Sequence, residues 1–125
     1  MSTLKLDTIA SRDGTESTDV TNVINGSAKA WVNFDGINNT IRASFNVSSI
    51  TDNGTGNHSV NFTNAMSDAN YAVSITGSYI GSPDTSIDTS QIGSALTTSS
   101  VTVHFRNYSS AALQDNYFSN VVVFR

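Results

Sequence analysis

Short runs in which apolar and polar residues alternate fill the chain from Ala28 onwards, and clusters of Gly, Asn, Asp and Ser separate them. Strict alternation between turn residues is typical of a β-strand with one buried face. Six or seven short strands at this spacing predict an all-β fold, an antiparallel β-sandwich formed by residues 28–125. The predicted strands cover 28–35, about 40–50, 58–62, 70–75, 99–106 and 117–125, with a short edge strand near 86–91.

The alternation also predicts which side chains face the core. On the first two strands the inward residues are Ala28, Ala30, Val32, Phe34, Ile41, Ala43, Phe45 and Val47, so Trp31 points the other way. The last strand is apolar on both faces from Val121 to Phe124, which indicates a central strand or one pressed against another subunit. This is more apolar surface than a monomer should expose. We therefore predict a symmetric oligomer with Trp31 or the face of Val122 and Phe124 at the subunit contacts.

Residues 1–27 have a different character and predict an extended N-terminal arm. They contain the Ser/Thr/Asp-rich stretch 11–19 and too few apolar residues to fold alone. After Asp19 the spacing of the apolar residues allows one helical turn, which is too short to be stable in water without a partner. We expect the arm to order against another protein or against copies of itself through Leu4, Leu6, Ile9, Val20, Val23 and Ile24.

The composition and motifs exclude several function classes. The chain has 20 Ser, 15 Thr, 14 Asn and no Cys, and its net charge of −4 comes with scattered Lys and Arg, so no basic stripe could follow a nucleic acid. The sequence lacks a nucleophile elbow, a phosphate-binding glycine loop and a metal-binding His pair, which predicts no catalysis, cofactor or metal site. His58 and His104 are isolated and are expected at the surface or an interface. The longest apolar run, Val121–Phe124, is too short for membrane insertion.

Aromatic and polar residues border the two long loops, 77–98 and 107–116. Aromatic rings stack on the apolar faces of sugars, while amides and carboxylates bond to their hydroxyl groups. If the protein contacts a surface glycan on a host, this chemistry favours Tyr79, Asp84, Tyr108 and Asn116 as the contact residues.

Several blocks resemble fibre-like virion proteins of tailed bacteriophages, especially marine phages. They are AKAWVNFDG at 28–36, IRASFNVSSITDNGTGNHSVNFTNAMSDANYAV at 41–73, the opening MSTLKLDTIA and the closing YFSNVVVFR. The resemblance implies a homotrimeric tail-fibre, spike or decoration component of the virion, made in the host cytoplasm and docked on the particle by its N-terminal stretch. The alternative is an H-type-lectin-like sugar-binding module, which would not need residues 1–27.

Overall fold

The computed structural model describes residues 2–78, 89–94 and 96–125, and most of them form a β-sandwich. One sheet has the strand order β4-β3-β10-β7 and the other the order β5-β6-β9-β8, with antiparallel pairing throughout. The predicted antiparallel β-sandwich is confirmed. The elements are β1 (Thr8–Ala10), β2 (Ser17–Asp19), α1 (Val20–Gly26), β3 (Ala28–Asp35), β4 (Thr40–Phe45), β5 (Val47–Asp52), β6 (Asn57–Phe62), β7 (Ala72–Ser78), β8 (Thr89–Ile92), β9 (Ser100–Arg106) and β10 (Phe118–Phe124).

The core lies between the two sheets and is built from every second residue of the central strands. This is the consequence of the pleat, which points successive side chains to opposite faces. Phe34 and Phe105, from different sheets, meet edge to face with ring centroids 6.2 Å apart. The most deeply buried apolar residues are Ala30, Val32, Phe34, Val60, Val101, Val103, Phe105, Val121 and Val123.

The prediction of a single second strand over about 40–50 is wrong. The segment forms two strands, β4 and β5, which belong to different sheets. Asn46 separates β4 from β5 and has a left-handed backbone with φ of 54°. Most L-residues avoid this conformation, whereas Asn tolerates it. The phase of the alternation changes at this corner and at a bulge in the β3–β4 pairing near Ala43. Ala43 and Phe45 are therefore exposed instead of inward, while Val47 is buried.

The last strand is central, as its apolar character predicts. β10 pairs with β3 on one side and with β7 on the other. The first and last strands of the sandwich are thus neighbours, and Ala28 lies opposite Phe124.

Strand direction gives the sandwich two distinct ends. We call the end where the chain enters at Ala28 the proximal end; it also holds the Asn46 corner, the segments 63–71 and 96–99, and Arg125. The opposite, distal end holds the segments 36–39, 53–56 and 107–117. Hydrogen bonds join the distal segments: the Gly36 amide donates to the Asn116 carbonyl (2.8 Å) and Asn39 Nδ2 donates to Asp52 Oδ2 (2.9 Å).

The N-terminal arm contains a small hairpin followed by a helix. β1 and β2 pair with each other, and α1 begins directly after Asp19, where the sequence allows a helical turn. Asp13 organises the hairpin loop because hydrogen bonds from Ser11 and Thr15 reach its carboxylate and lower its pKa to about 2. None of residues 2–27 is buried. The arm therefore adds nothing to the sandwich core.

Candidate interaction surfaces

The outer face of the first sheet carries exposed apolar side chains. Trp31 on β3 lies directly between Phe45 on β4 and Val122 on β10. Trp31 is 39% exposed and Phe45 is 54% exposed. Phe118 and Phe124 belong to the same face of β10, and both are exposed. We call this surface the aromatic face; its members are Trp31, Phe45, Phe118, Val122 and Phe124.

The structure therefore brings the three predicted contact residues onto one surface. Trp31 and Val122 are cross-strand neighbours, and Phe124 lies two residues farther along β10. Reading the sequence missed Phe45 and Phe118. Phe45 continues the inward alternation of the predicted second strand, and only the left-handed Asn46 after it marks the change of sheet.

A row of polar side chains crosses the middle of the aromatic face. Asn33 Nδ2 donates to Asn120 Oδ1 (2.6 Å), and Asn120 Nδ2 donates to Thr76 Oγ1 (3.3 Å). The row joins three neighbouring strands. The five members of the face are thus apolar and the row that crosses it is internally hydrogen-bonded; the described cations nearest to it are Arg42 and Lys29, at its two ends.

The outer face of the second sheet has the opposite character. It is covered by hydroxyl and amide side chains, including Ser59, which lies 3.0 Å from Thr102 Oγ1. Asn61 Nδ2 donates to Ser49 (3.0 Å) and to Thr51 (2.9 Å). Such a face is well solvated and needs no further partner. The two outer faces of the sandwich therefore differ sharply in what they can bind.

Arg42 lies at the distal border of the aromatic face. Its guanidinium carbon is 4.3 Å from the ring centre of Tyr117 and 4.9 Å from that of Phe118. The same group lies 3.3 Å from the Asp35 carboxylate. Burial alone would raise the pKa of Asp35, but hydrogen bonds from Asn38 and from the Ile37 amide, together with Arg42, outweigh it and lower that pKa.

His58 is buried, so the expectation of a surface or interface histidine is wrong for this residue. Its ring is fully covered and packs edge to face against Phe34 and Phe105. Nε2 lies 3.1 Å from the Gly36 carbonyl and 3.8 Å from Asp115 Oδ1. The sequence did contain a signal, because His58 stands two positions before the inward Val60 on the same strand.

The residues predicted to contact a glycan differ in their exposure. Tyr108 is 72% exposed at the distal end. Asn116 is 0% exposed, so its prediction as a surface contact is wrong. The residue packs inside the distal end, where Gly77 approaches its side chain so closely that a Cβ at position 77 would be 2.4 Å from Nδ2. Tyr79 and Asp84 lie outside the described residues.

The predicted anchor residues remain uncovered in the single chain. Leu4, Leu6 and Ile9 are exposed, as are Val23 and Ile24 on α1, while Val20 is half-buried. The Lys29 ammonium donates to the carbonyl of Ile24 and so ties the last turn of α1 to β3. A cleft of about 460 Å³ lies beside this tie, lined by Ala28, Lys29, Phe45, Asn46, Thr63 and Asn64.

Comparison with known protein families, with curated proteins and with solved structures found no match for this chain. Among the described residues, no group of three or more His, Asp or Glu side chains is arranged to hold a metal ion. The single helix of that part of the chain is too short and too polar to cross a membrane.

Proposed function

We propose that this chain is a structural protein of a phage virion: a short tail-fibre, spike or decoration component. In this proposal residues 1–27 attach the protein to the particle, and a homotrimer displays the β-sandwich. The sequence blocks that resemble fibre-like virion proteins support the proposal. The observation that carries it is that the two ends of the sandwich differ. The arm joins one end, and the long distal segments lie at the other.

This difference between the two ends follows from the strand directions. The arm joins β3 at the proximal end, whereas the exposed Tyr108 and the segment 107–117 lie at the distal end. A protein held by its arm would therefore present the distal segments outward. Loops on a rigid scaffold are a common place for recognition, because their sequence can vary without disturbing the core.

The arm also has the surface of a docking segment. Its aliphatic side chains are uncovered in the isolated chain, and none of them is needed by the sandwich. Segments of this kind gain order when they bury apolar residues against a partner. We assign the partner as another protein of the virion.

Deleting residues 2–19, which leaves α1 in place, tests the anchoring role. We expect the shortened protein to keep its β-rich circular dichroism spectrum and cooperative unfolding, because none of the deleted residues is buried. Phage particles assembled with tagged shortened protein should lack it, whereas particles assembled with tagged full-length Tyr108→Ala should contain it. Normal incorporation of the shortened protein would refute the anchor.

A sugar-binding module is the second candidate, and the exposure of Tyr108 at the distal end favours it. A free aromatic ring beside amide side chains can stack on a sugar. Binding of a host glycan by the shortened protein, lost in its Tyr108→Ala variant, would favour this candidate. No binding to host glycans together with normal particle incorporation of the full-length chain would leave the structural role alone.

A further inference from the structure

We infer that copies of this chain associate through the aromatic face together with the exposed apolar stripe of α1. The inference rests on the proposed function, which includes an oligomer, and adds the surface that holds the copies together. The occupant of the aromatic face is a second copy of the same chain.

The chemistry of the aromatic face suits contact with itself. When like surfaces meet, equal charges repel, and the five members of this face carry none. The two cations at its border are already engaged: Lys29 with the Ile24 carbonyl and Arg42 with Asp35. The amide row of Asn33 and Asn120 both donates and accepts hydrogen bonds, so a second copy of the row can pair with it. The members of this face offer no charge complementary to that of a charged partner.

The contrast between the two outer faces points in the same direction. Ser, Thr and Asn side chains of β5, β6 and β9 bond to one another on the outer face of the second sheet, which leaves these strands suited to water. The first sheet instead leaves Trp31 and three phenylalanines partly in water. Aromatic residues are enriched in the buried centres of protein interfaces. The sandwich therefore has one outer face for solvent and one for association.

The area of the sheet favours a part for α1 in the contact. Four strands spaced about 4.8 Å apart and seven residues of about 3.4 Å each give a flat face of roughly 450 Å². A stable interface typically removes about 800 Å² from each partner. The flat sheet is thus small for a stable interface by itself, and further apolar surface beside it would enlarge the contact.

The helix α1 provides that surface at the proximal end. Lys29 lines a cleft together with Phe45 of the aromatic face, and its ammonium contacts the last turn of α1. Val23 and Ile24 are exposed on this helix. A seven-residue helix is unstable alone in water, so tertiary contacts must stabilise it. Contact with a neighbouring copy would cover its stripe and extend the aromatic face.

Mass measurements on charge variants test the surface. By sedimentation equilibrium we expect the full chain to form a multiple of its 13.3 kDa monomer. Trp31→Lys, Val122→Lys and Ile24→Lys should each shift the mass toward 13.3 kDa, because each copy then brings a buried charge to the contact. Thr102→Lys, on the outer face of the second sheet, is the matched control and should keep the multimeric mass. Cooperative unfolding of each variant verifies its fold.

Fluorescence provides a second readout that needs no substitution. Trp31 is the only tryptophan, so its emission reports on this face alone. Dilution below the dissociation constant should shift the emission to longer wavelength in the full chain and in Thr102→Lys. In Val122→Lys the emission should already be at long wavelength at high concentration.

Three results would overturn the inference. They are a full chain of monomeric mass, an unchanged multimer in folded Trp31→Lys and Val122→Lys, and dissociation by Thr102→Lys as well. An unchanged multimer would place the contact elsewhere and leave the proposed function intact. That function is decided separately, by the incorporation of the shortened protein into particles.

Discussion

At the scale of single residues, the distal end depends on glycines that leave no room for a side chain. Gly77 lies on β7 against the buried Asn116 and the ring of Phe105. A Cβ atom at this position would be 2.4 Å from Asn116 Nδ2 and 2.8 Å from Phe105 Cδ1. Both neighbours are fully buried, so neither can move away without disturbing the core.

We expect Gly77→Ala to lower the free energy of unfolding by about 1–3 kcal/mol, the usual cost of overpacking a core. Urea unfolding followed by circular dichroism measures the change. Gly26→Ala is the control, since a Cβ there meets no described atom within 4 Å outside its own helix. Equal stability of the Gly77→Ala variant and the unmodified protein would show that the distal packing is looser than described.

At the scale of elements, one residue controls the passage of the chain from one sheet to the other. Asn46 has the left-handed backbone between β4 and β5, and its side chain holds the corner in place. Its Nδ2 donates to the carbonyls of Lys29 (3.0 Å) and Asn64 (3.1 Å). Its Oδ1 accepts from the Asn64 amide at 2.8 Å. The corner therefore needs both a special backbone and a specific amide.

Two substitutions separate these requirements. Asn46→Gly keeps the backbone conformation but loses the side-chain hydrogen bonds, whereas Asn46→Ala loses both. We expect Asn46→Ala to be less stable than Asn46→Gly by about 1 kcal/mol, the cost of a left-handed conformation for an L-residue. Thermal or urea unfolding of the two variants side by side measures the difference. Equal stability would mean that the backbone conformation contributes nothing, and that only the hydrogen bonds matter.

At the scale of the whole molecule, carboxylates tie segments together at both ends of the sandwich. Arg125 donates hydrogen bonds to Asp68 at the proximal end, and this contact lowers the pKa of Asp68 and raises that of Arg125. At the distal end, a hydrogen bond from the Gly54 amide lowers the pKa of Asp52, as does one from Asn39. The pKa of Asp35 is lowered as well, by the hydrogen bonds from Asn38 and Ile37 and by Arg42.

These shifts predict a loss of stability in acid. A carboxyl group whose pKa is lower in the folded state stabilises the fold above its unfolded pKa, and the contribution disappears as pH falls through the folded pKa. For Asp35, Asp52 and Asp68 we therefore expect the contribution to folding stability to be constant above the ordinary pKa of 3.8 and to decline at lower pH. The melting temperature measured between pH 6 and pH 2 should show this decline.

Asp68→Asn should make the acid decline shallower and lower the melting temperature at pH 6. Asp19→Asn is the control, since its side chain makes no helix-capping hydrogen bond and it lies outside the sandwich. A decline as steep in Asp68→Asn as in the unmodified protein would show that the contact with Arg125 does not contribute.

Much of the sandwich was predictable because burial of one sheet face imposes a period of two on the sequence. The bounds of β3 match the prediction, and Val121 and Val123 fall on the inward face of a central strand. The split at Asn46 was not predictable from alternation, because a local change of backbone hand leaves no mark on hydrophobicity. For the same reason the sequence did not predict that Phe45 belongs to the aromatic face. Trp31 and Val122 were found because they interrupt the polar face of their own strands.

The position of β3 also decides how the molecule responds to tension. The arm leaves from this strand, which is hydrogen-bonded to β4 on one side and to β10 on the other. A pull between the arm and the distal end runs along β3, perpendicular to its antiparallel hydrogen bonds. Both rows of bonds then resist shear together, whereas an edge strand pulled sideways would peel away one bond at a time. The chain thus enters the sandwich at a strand whose attachment resists shear on both sides.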